Sequence, residues 1–376
     1  MEKIKIGDAC DILNGFAFKS DKYVEDGIRV IRIANVQKGF IEDNAPVFYP
    51  IDSTGLEKYM LEEGDLLMSL TGNVGRVAIL QSEMLPAALN QRVACLRIKT
   101  DRLTKGFLFH ILNSDIFEQQ CIQASNGVAQ KNMSTEWLKD YEISLYSIEE
   151  QLKITEILDK ARMVINSRTE ELRCLDELIK ARFVEMFGDV QHEEKYRGIP
   201  LRKLCTTMSG GTPSTKFPEY YEGDIPWIST VSLGPNHIDG SNAKAYVTQD
   251  AIDNSATKLI PAGNILFGTR VGVGKSSLND VDICTNQDIV AIIGIDEIRF
   301  KRLFIKHVLD AYKPYYDSIK KGATILGITG DDLKDTLIPD VPIEVQIEYE
   351  TFVDQVDKSK VVVTHKAIRT IRCNVE

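Results

Sequence analysis

Apolar residues between positions 148 and 187 recur alternately four and three positions apart, and neither proline nor glycine interrupts this stretch. A repeat of 3.5 residues is typical of a coiled-coil seam. Ser147 and Glu150 have capping-box spacing at the helix start, and Gly188 is placed to end the last turn in a left-handed conformation. Such a helix spans roughly 60 Å, which suits a spacer between domains, although a long core helix of one domain stays open as an alternative. The predicted seam consists of Ile154, Leu158, Ala161, Ile165, Leu172, Leu175, Ile179 and Met186.

A second stretch, residues 343–372, repeats the same rhythm and corresponds to roughly 45 Å of helix. Because both apolar stripes belong to one chain and a globular segment separates them, we expect the two helices to pack against each other. If the chain has pseudo-twofold symmetry, the helices run antiparallel and the globular segments lie at opposite ends of the pair. The predicted seam of this second helix consists of Tyr349, Phe352, Val356 and Val363.

The two halves of the chain resemble each other at an offset of nearly 200 residues. The matching segments are Gly64–Met68 with Gly263–Phe267, residues 73–76 with 272–275, Asn90-Gln91 with Asn286-Gln287, and Ile148–Gln151 with Ile343–Gln346. Internal repeats of this kind indicate repeated structural units. The predicted order is a domain, a long helix, a second domain and a second long helix, at residues 1–147, 148–190, 191–342 and 343–376.

Each domain shows a mixed pattern. Short β-branched runs such as Val93–Ile98 and Ile289–Ile293 predict strands, whereas Phe107–Leu112 and Phe304–Leu309 predict helix starts. The predicted fold class is therefore α+β, with two similar mixed α/β domains of about 150 residues each, separated by an antiparallel coiled coil.

Composition narrows the class of protein. A hydrophobic content of 43% and a charged content of 27% are ordinary for a globular protein, and we find neither a signal-like N-terminus nor an apolar run of membrane-spanning length. The seven cysteines are scattered without a CxxC pair, which favours a reducing cytoplasm over disulfides or a zinc site. The net charge of −10 predicts modest affinity of this chain alone for a nucleic-acid backbone, without excluding a local basic groove.

Gly268–Ser276 comes close to a phosphate-binding loop, but Thr269 occupies the place of the required first glycine. Since the repeat counterpart at residues 73–77 lacks the Lys-Ser pair, a glycine-rich hairpin turn is favoured over a nucleotide site. Charged residues in these turns could contact phosphates or base edges, or could be solvated only. The sequence contains no nucleophile elbow, zinc-protease motif, paired-carboxylate constellation, dinucleotide-binding glycine motif or amino-methyltransferase tetrapeptide, so we predict a non-catalytic chain.

A polar, amide-rich loop at residues 125–132 has its counterpart at residues 320–324. Asn and Gln amides suit bidentate contacts to adenine, and Lys and Arg suit guanine. A plain surface loop is the alternative for any single residue here.

Several short motifs together resemble the specificity (S) subunit of type I restriction–modification enzymes. They are Ile148–Ile154 after a predicted strand, residues 186–189 at the end of the first helix, and Gly210–Ser214 followed by residues 223–228, which is similar to the opening of a target recognition domain. The resemblance spans essentially the whole chain. It departs at Tyr146-Ser147, where a proline-rich lead-in is common, and at Val345, where Glu is usual.

The resemblance implies that each domain recognises one half of a bipartite, asymmetric DNA target and that the coiled coil sets the spacing between the half-sites. It implies double-stranded DNA, two methyltransferase (M) subunits and motor-nuclease (R) subunits as partners, in the cytoplasm of a bacterium or archaeon. S-adenosylmethionine would be bound by the M subunits, with no cofactor on this chain. The predicted DNA-contacting residues are Lys19, Arg76, Gln91, Arg92, Gln130, Lys131, Asn132, Thr212, Lys216, Arg270, Lys275, Gln287, Lys320, Lys321 and Thr324.

Three other functions stay open from the sequence. The chain could serve a methylation-only system, because cleavage would reside in other subunits. It could be a structural coiled-coil scaffold that binds proteins, which sequence-specific DNA protection by the reconstituted complex would exclude. It could be a nucleotide-hydrolysing enzyme using Gly268–Ser276, which calorimetry with nucleotide would test.

Overall fold

The computed structural model describes residues 2–125, 132–192, 195–322 and 325–375, with the backbone alone for residues 365–375. The chain divides into two compact units, Met1–Asn166 with Ile368–Glu376, and Ser167–Ala367. Among the described residues, no helix combines the length and the apolarity that crossing a membrane requires.

The first domain is built from one main sheet with a smaller sheet and helices around it. Its strands form an antiparallel four-stranded sheet, a three-stranded sheet and one antiparallel pair. The elements in chain order are β1 (Glu2–Lys5), α1 (Ile6–Ala9), β2 (Cys10–Asn14), β3 (Ile28–Ile31), β4 (Phe48–Tyr49), β5 (Leu66–Ser69), β6 (Val77–Ile79), β7 (Ala87–Leu89), β8 (Val93–Ile98), α2 (Lys105–Leu112), α3 (Asp115–Ala124), α4 (Thr135–Asp140) and β9 (Glu142–Leu145). The strand orders are β2-β8-β5-β6, β4-β3-β7 and β1-β9.

The second domain repeats this construction between two long helices. Its elements, with the long helices, are α5 (Ile148–Phe187), β10 (Gly198–Pro200), β11 (Thr206–Ser209), β12 (Ile225–Ile228), β13 (His237–Ile238), β14 (Ala245–Val247), α6 (Gln249–Asn254), β15 (Leu259–Ile260), β16 (Ile265–Gly268), β17 (Ser276–Asn279), β18 (Ile283–Thr285), β19 (Ile289–Ile293), α7 (Arg302–Ala311), α8 (Lys313–Ile319), α9 (Gly330–Lys334), β20 (Leu337–Pro339) and α10 (Ile343–Val375). The strand orders are β11-β19-β16-β17-β13, β14-β12-β18-β15 and β10-β20.

The equivalent sheets of the two domains therefore have the same strand order. The order β11-β19-β16-β17 repeats β2-β8-β5-β6, and β14-β12-β18 repeats β4-β3-β7, including the parallel pairing of the last two strands. The second domain adds β13 and β15 at sheet edges. The prediction of two similar mixed α/β domains combined with long helices is confirmed.

The central strand of each main sheet is buried on both faces. In β5, Leu66 and Met68 pack into the cluster that contains Phe107 and Phe117 of α2 and α3, whereas Leu67 packs into the cluster of the smaller sheet. Because successive side chains of a strand point to opposite faces, a strand covered on both sides needs a continuous apolar run, as in Leu66–Met68. Strand β16 shows the same division between its two faces.

Both predicted ends of α5 have the expected geometry. The backbone N–H of Glu150 donates to Ser147 Oγ at 3.3 Å, and the backbone N–H of Ser147 donates to Glu150 Oε2 at 3.0 Å. At the other end, Gly188 has φ of 74° and its N–H donates to the carbonyl of Val184 at 2.8 Å. The capping box and the glycine stop are thus confirmed, and they set where the helix begins and ends.

Within the second unit, α5 and α10 pack antiparallel. Arg182 pairs with Glu348 at 2.8 Å, and Asp176 pairs with Lys360 at 2.7 Å. Lower numbers on α5 therefore face higher numbers on α10. The buried residues of this contact are Ile179, Phe183, Met186 and Phe187 from α5 and Tyr349, Val353 and Val356 from α10. Val363 of α10 is also buried.

Three of these buried residues, Phe183, Phe187 and Val353, lie outside the predicted four-three rhythm. Phe183 packs edge-to-face against Tyr349 at a ring-centroid distance of 5.6 Å, and its ring centroid lies 6.3 Å from that of Phe304 in α7. Val353 is fully buried. At this end the helices pack against a domain as well as against each other. That requires a broader apolar face with the 3.6-residue period of a straight helix.

The other predicted seam residues are less enclosed. Phe352 and Leu175 are half-buried against the second-domain core, Ile154 is half-buried against the first-domain core, and Ala161 and Leu172 are also half-buried. Leu158 and Ile165 are 39% and 50% exposed. The side chains of residues 365–375 on α10 lie outside the described part of the chain, so the role of Leu158 and Ile165 in a seam stays a prediction.

A buried glutamine joins each long helix to its domain. Gln151 Oε1 accepts from the backbone N–H of Thr104 at 2.8 Å, while its Nε2 donates to the carbonyls of Arg102 at 2.8 Å and Tyr146 at 2.9 Å. Gln346 makes the same three contacts with its counterparts in the second unit, to Lys301, Arg299 and Val341, at 2.8, 3.2 and 2.8 Å. Both glutamines are 0% exposed, so each amide is the partner that these buried backbone groups require.

Candidate nucleic-acid interface

Four connections of the second domain are joined by backbone hydrogen bonds into one group, which we call the second loop cluster: residues 210–213, 269–271, 286–288, and 320–322 with 325–328. Gly211 N–H donates to Thr285 O at 2.8 Å, Thr269 N–H to Asp288 O at 2.8 Å, and Ile328 N–H to Thr269 O at 2.9 Å. A side-chain bond from Thr212 Oγ1 to Gln287 Oε1, at 2.7 Å, adds to these contacts.

This arrangement brings together several of the predicted DNA-contacting residues. Thr212, Arg270, Gln287 and Lys321 all lie in the second loop cluster and are exposed. Lys320 lies there too, but it is half-buried and ion-paired with Asp317. Lys275 is exposed at the end of the hairpin and Lys216 is exposed in the turn after residue 214. Thr324 lies outside the described residues.

The first domain has an equivalent group, the first loop cluster: residues 15–16, 70–71, 90–92 and 132–133. Phe16 N–H donates to Leu89 O at 2.8 Å, Leu70 N–H to Arg92 O at 3.0 Å, and Met133 N–H to Leu70 O at 2.8 Å. Gln91, Arg92 and Asn132 lie in this cluster, with Asn132 bridged to Thr71. These three backbone hydrogen bonds correspond to the three backbone hydrogen bonds named for the second loop cluster.

The remaining first-domain candidates lie elsewhere. The guanidinium of Arg76 is half-buried and donates to the side-chain carbonyl oxygen of Gln37, so it is engaged within the domain. Lys19 is exposed next to the short helical turn Ser20–Lys22. Gln130 and Lys131 lie outside the described residues. No observation tests the DNA contacts of any of these residues, and they stay predictions.

Two glycines permit both clusters to form, and only one of them, Gly210, was part of a motif noted in the sequence. A Cβ on Gly15 would lie 2.2 Å from the carbonyl oxygen of Asn90, and a Cβ on Gly210 would lie 2.1 Å from Thr285 Oγ1. Only glycine allows the ends of β2 and β11 to approach the Asn-Gln turn this closely. The repeat itself could have identified them, since they are 195 residues apart at equivalent places.

The stretch from Gly268 to Ser276 forms a β-hairpin, as predicted. It connects β16 to β17, and Gly272 and Gly274 have φ of 77° and 79°. Ser276, which would ligate a metal in a phosphate-binding loop, lies in β17 and donates from Oγ to Asp310 Oδ1 at 2.6 Å. Its hydroxyl is thus engaged in the domain core.

A cleft of about 630 Å³ lies between α5, α7 and α10 within the second unit. Both ring nitrogens of His307 in this cleft are hydrogen-bonded. Nδ1 lies 2.6 Å from the hydroxyl oxygen of Tyr349, and Nε2 lies 2.9 Å from Asn236 Oδ1. Lys306 Nζ donates to Asn236 Oδ1 at 2.9 Å and to Asp310 Oδ2 at 2.8 Å. Since the polar groups satisfy one another, the arrangement is suited to fixing the domain on its helices rather than to proton transfer.

Four cysteine thiols elsewhere in the chain are held in the protonated, unreactive form. Burial raises the pKa of the thiols of Cys10 and Cys121 to about 12 and those of Cys205 and Cys284 to about 11. A protonated thiol is neither a nucleophile nor a metal ligand at neutral pH. In the part of the chain that the structure describes, no group of three or more His, Cys, Asp and Glu side chains is arranged to hold a metal.

The buried His307 predicts a pH-dependent stability. Burial, with further contributions from Lys306, Lys360 and His237, holds its pKa well below the usual 6.5. Below pH 6.5 the unfolded chain binds a proton that the folded chain does not, so the free energy of unfolding should fall as the pH decreases, with a slope approaching one proton. Above about pH 7 this contribution should be constant. Denaturant unfolding of the protein and of a His307→Gln variant across this range measures it.

The matched control for this prediction is His192→Gln, because His192 is 72% exposed in its side chain. That variant should keep the acid-dependent loss of stability, whereas His307→Gln should flatten it. Equal slopes for His307→Gln and the unchanged protein would contradict the assignment to His307.

Comparisons with known proteins agree with this geometry. The model of the type I restriction modification DNA specificity domain matches the chain twice, at residues 1–172 and 193–372. The type I restriction enzyme MjaVIII specificity subunit of Methanocaldococcus jannaschii is 30% identical over 177 residues, which cover 45% of this chain and 41% of that protein. The EcoBI specificity subunit of Escherichia coli is 31% identical over 181 residues, covering 47% of this chain and 36% of that protein. The matched segments thus span less than half the length of these relatives.

A solved structure extends the similarity of fold to the whole chain. The S subunit of a type I restriction-modification system from M. genitalium superposes with a TM-score of 0.52 at 13% identity, covering 99% of this chain and 95% of that one. At this identity the likeness concerns the fold alone.

Proposed function

Because the chain belongs to the family of type I restriction modification DNA specificity domains and contains two copies of that domain, we propose that it is the DNA-recognition subunit of a type I restriction–modification complex. Each domain recognises one half of a bipartite target, and the pair of long helices sets the spacing between the half-sites. The observation that carries this proposal is the pair of loop clusters, which share one hydrogen-bonded backbone frame but present different side chains. Two recognisers of different half-sites need such a combination.

We also propose that the chemistry resides in partner subunits. S-adenosylmethionine and methyl transfer belong to two methyltransferase subunits, and DNA translocation and cleavage to motor-nuclease subunits, so this chain binds no cofactor. The engaged nitrogens of His307 and the protonated buried thiols support a non-catalytic role. Exposed apolar side chains along α5, including Leu152 at 55% and Met163 at 71% exposure, support docking of a protein partner on this helix.

The test is to coexpress the chain with its methyltransferase partner and to map methylated adenine in the genome of cells that carry both. We expect a single asymmetric motif with two defined segments and a fixed gap, and no methylation at that motif when this chain is omitted. A complex that assembles but methylates without sequence preference would instead support a protein-binding scaffold. Adding the motor-nuclease subunit and ATP to unmodified DNA distinguishes a restriction system from a methylation-only one.

A further inference from the structure

We propose that Arg92 and Arg270 are the guanine-recognising residues of the first and second domains, and that the Asn-Gln turn beside each arginine contacts the DNA backbone. This inference rests on the proposed function and assigns different tasks to residues of the two loop clusters.

The backbone hydrogen bonds establish which residues are equivalent. Strand β5 pairs Ser69 with Val93, and β16 pairs Gly268 with Ile289. One residue further along, Leu70 N–H donates to Arg92 O, and Thr269 N–H donates to Asp288 O. Position 92 therefore corresponds to position 288, and position 71 to position 270.

The Asn-Gln dipeptide is the same in both clusters, and its asparagine makes the same backbone hydrogen bond in each. Asn90 N–H donates to Ile31 O and Asn286 N–H donates to Ile228 O, each at 3.1 Å. Identical residues at equivalent places cannot distinguish two different half-sites. They suit the feature that both half-sites share, which is the sugar–phosphate backbone.

The orientation of Gln287 agrees with a phosphate contact. Its Oε1 accepts from Thr212 Oγ1 at 2.7 Å, which leaves its NH₂ group available to donate to a ligand. An NH₂ group only donates hydrogen bonds, and phosphate oxygens only accept them.

The charged residues beside the turn differ between the clusters. In the first cluster, Arg92 follows the Asn-Gln dipeptide and is exposed, and its guanidinium forms no ion pair with another described residue. In the second cluster an acid, Asp288, occupies that position, and the arginine comes from the hairpin instead. Arg270 Nη1 lies 3.6 Å from Asp288 Oδ1, with side-chain exposures of 55% and 13%. The first-domain counterpart of Arg270 is Thr71, which is 8% exposed.

Each cluster therefore presents one arginine at the Asn-Gln turn, but from a different connection of the sheet. The planar fork of a guanidinium fits O6 and N7 of guanine in the major groove. Asp288 contacts one edge of the Arg270 guanidinium and leaves the other N–H donors available for a base. Because the arginines enter from different connections, we expect the guanine to lie at a different distance from the shared backbone contact in each half-site.

The experiment uses the complex of the full chain with its methyltransferase partner. The probe is a library of duplex DNA randomised across both half-sites, read out by sequencing methylated adenine. Arg92→Ala should relax the preference for guanine at one position of one half-site by about 10–100-fold, and Arg270→Ala should do so in the other half-site only. Gln91→Ala and Gln287→Ala should lower methylation of all sequences by a common factor and leave base preferences unchanged.

Matched controls are Arg102→Ala and Arg202→Ala. These arginines have similar side-chain exposures of 50% and 45%, are paired with Glu2 and Asp335, and belong to neither loop cluster. Both variants should keep the base preferences of the unchanged complex. Arg92→Lys and Arg270→Lys retain the charge without the fork, and should weaken the guanine preference even if an alanine variant fails to fold.

Two results would overturn the inference. One is a uniform loss of methylation in the arginine variants with base preference intact, which would make the arginines backbone contacts. The other is relaxed base preference in the glutamine variants. Absence of any sequence preference in the unchanged complex would instead refute the proposed function, so the two failures are distinguishable.

Discussion

Replacing Tyr349 by alanine is expected to lower the free energy of unfolding of the second unit by about 3–5 kcal/mol, the range for removing a buried aromatic ring. Tyr349 is 0% exposed. Its ring lies 5.6 Å from that of Phe183 and 5.2 Å from that of Phe187, and its hydroxyl bonds to His307. The loss of stability should therefore have two parts. One is the cost of a cavity between α5, α7 and α10, and the other is the cost of leaving the buried Nδ1 of His307 without a hydrogen-bond partner.

The two tryptophans permit this measurement domain by domain. Trp137 belongs to α4 of the first domain, and Trp227 to β12 of the second. In a Trp137→Phe background, tryptophan fluorescence during urea unfolding reports on the second domain. Tyr349→Phe is the matched control, since it keeps the ring and loses only the hydroxyl bond, at a cost of about 1–3 kcal/mol for the nitrogen left unpaired. If both variants unfold at the same urea concentration, ring packing does not hold the helices to the domain.

Replacing Gln346 by alanine is expected to destabilise the second domain by about 3 kcal/mol or more. The variant leaves the N–H of Lys301 and the carbonyls of Arg299 and Val341 without their partner, and each unsatisfied buried group costs about 1–3 kcal/mol unless water enters. Gln151→Ala should destabilise the first domain by a similar amount. Trp227 fluorescence should respond to the first variant, and Trp137 fluorescence to the second.

Gln355 provides the control on the same helix, because its side chain is exposed. Gln355→Ala should change the free energy of unfolding by less than about 0.5 kcal/mol. A loss in Gln346→Ala no larger than that of the control would mean that the three buried contacts contribute nothing net to stability.

Much of the fold was predictable from local patterns. The capping box, the glycine stop after α5 and the hairpin between β16 and β17 depend on residues close together in the chain, whose conformational preferences act locally. The repeat predicted two similar domains because equal patterns of apolar residues lead to equal sheets. The loops of the predicted interface were located only in part, since side-chain contacts such as that of Arg76 with Gln37 join residues far apart in sequence.

The amino-acid sequence by itself determined the order of domain, helix, domain and helix, because that order follows from apolar periodicity and repetition along the chain. Only the tertiary structure decided which side chains meet. It placed Phe183 in the apolar core between the long helices, gave Gln151 and Gln346 three equivalent backbone partners each, and set Arg270 against Asp288. The physical reason is that a periodic pattern specifies which face of an element is apolar. The pairing of polar groups depends instead on ångström-scale distances that exist only once distant segments have packed together.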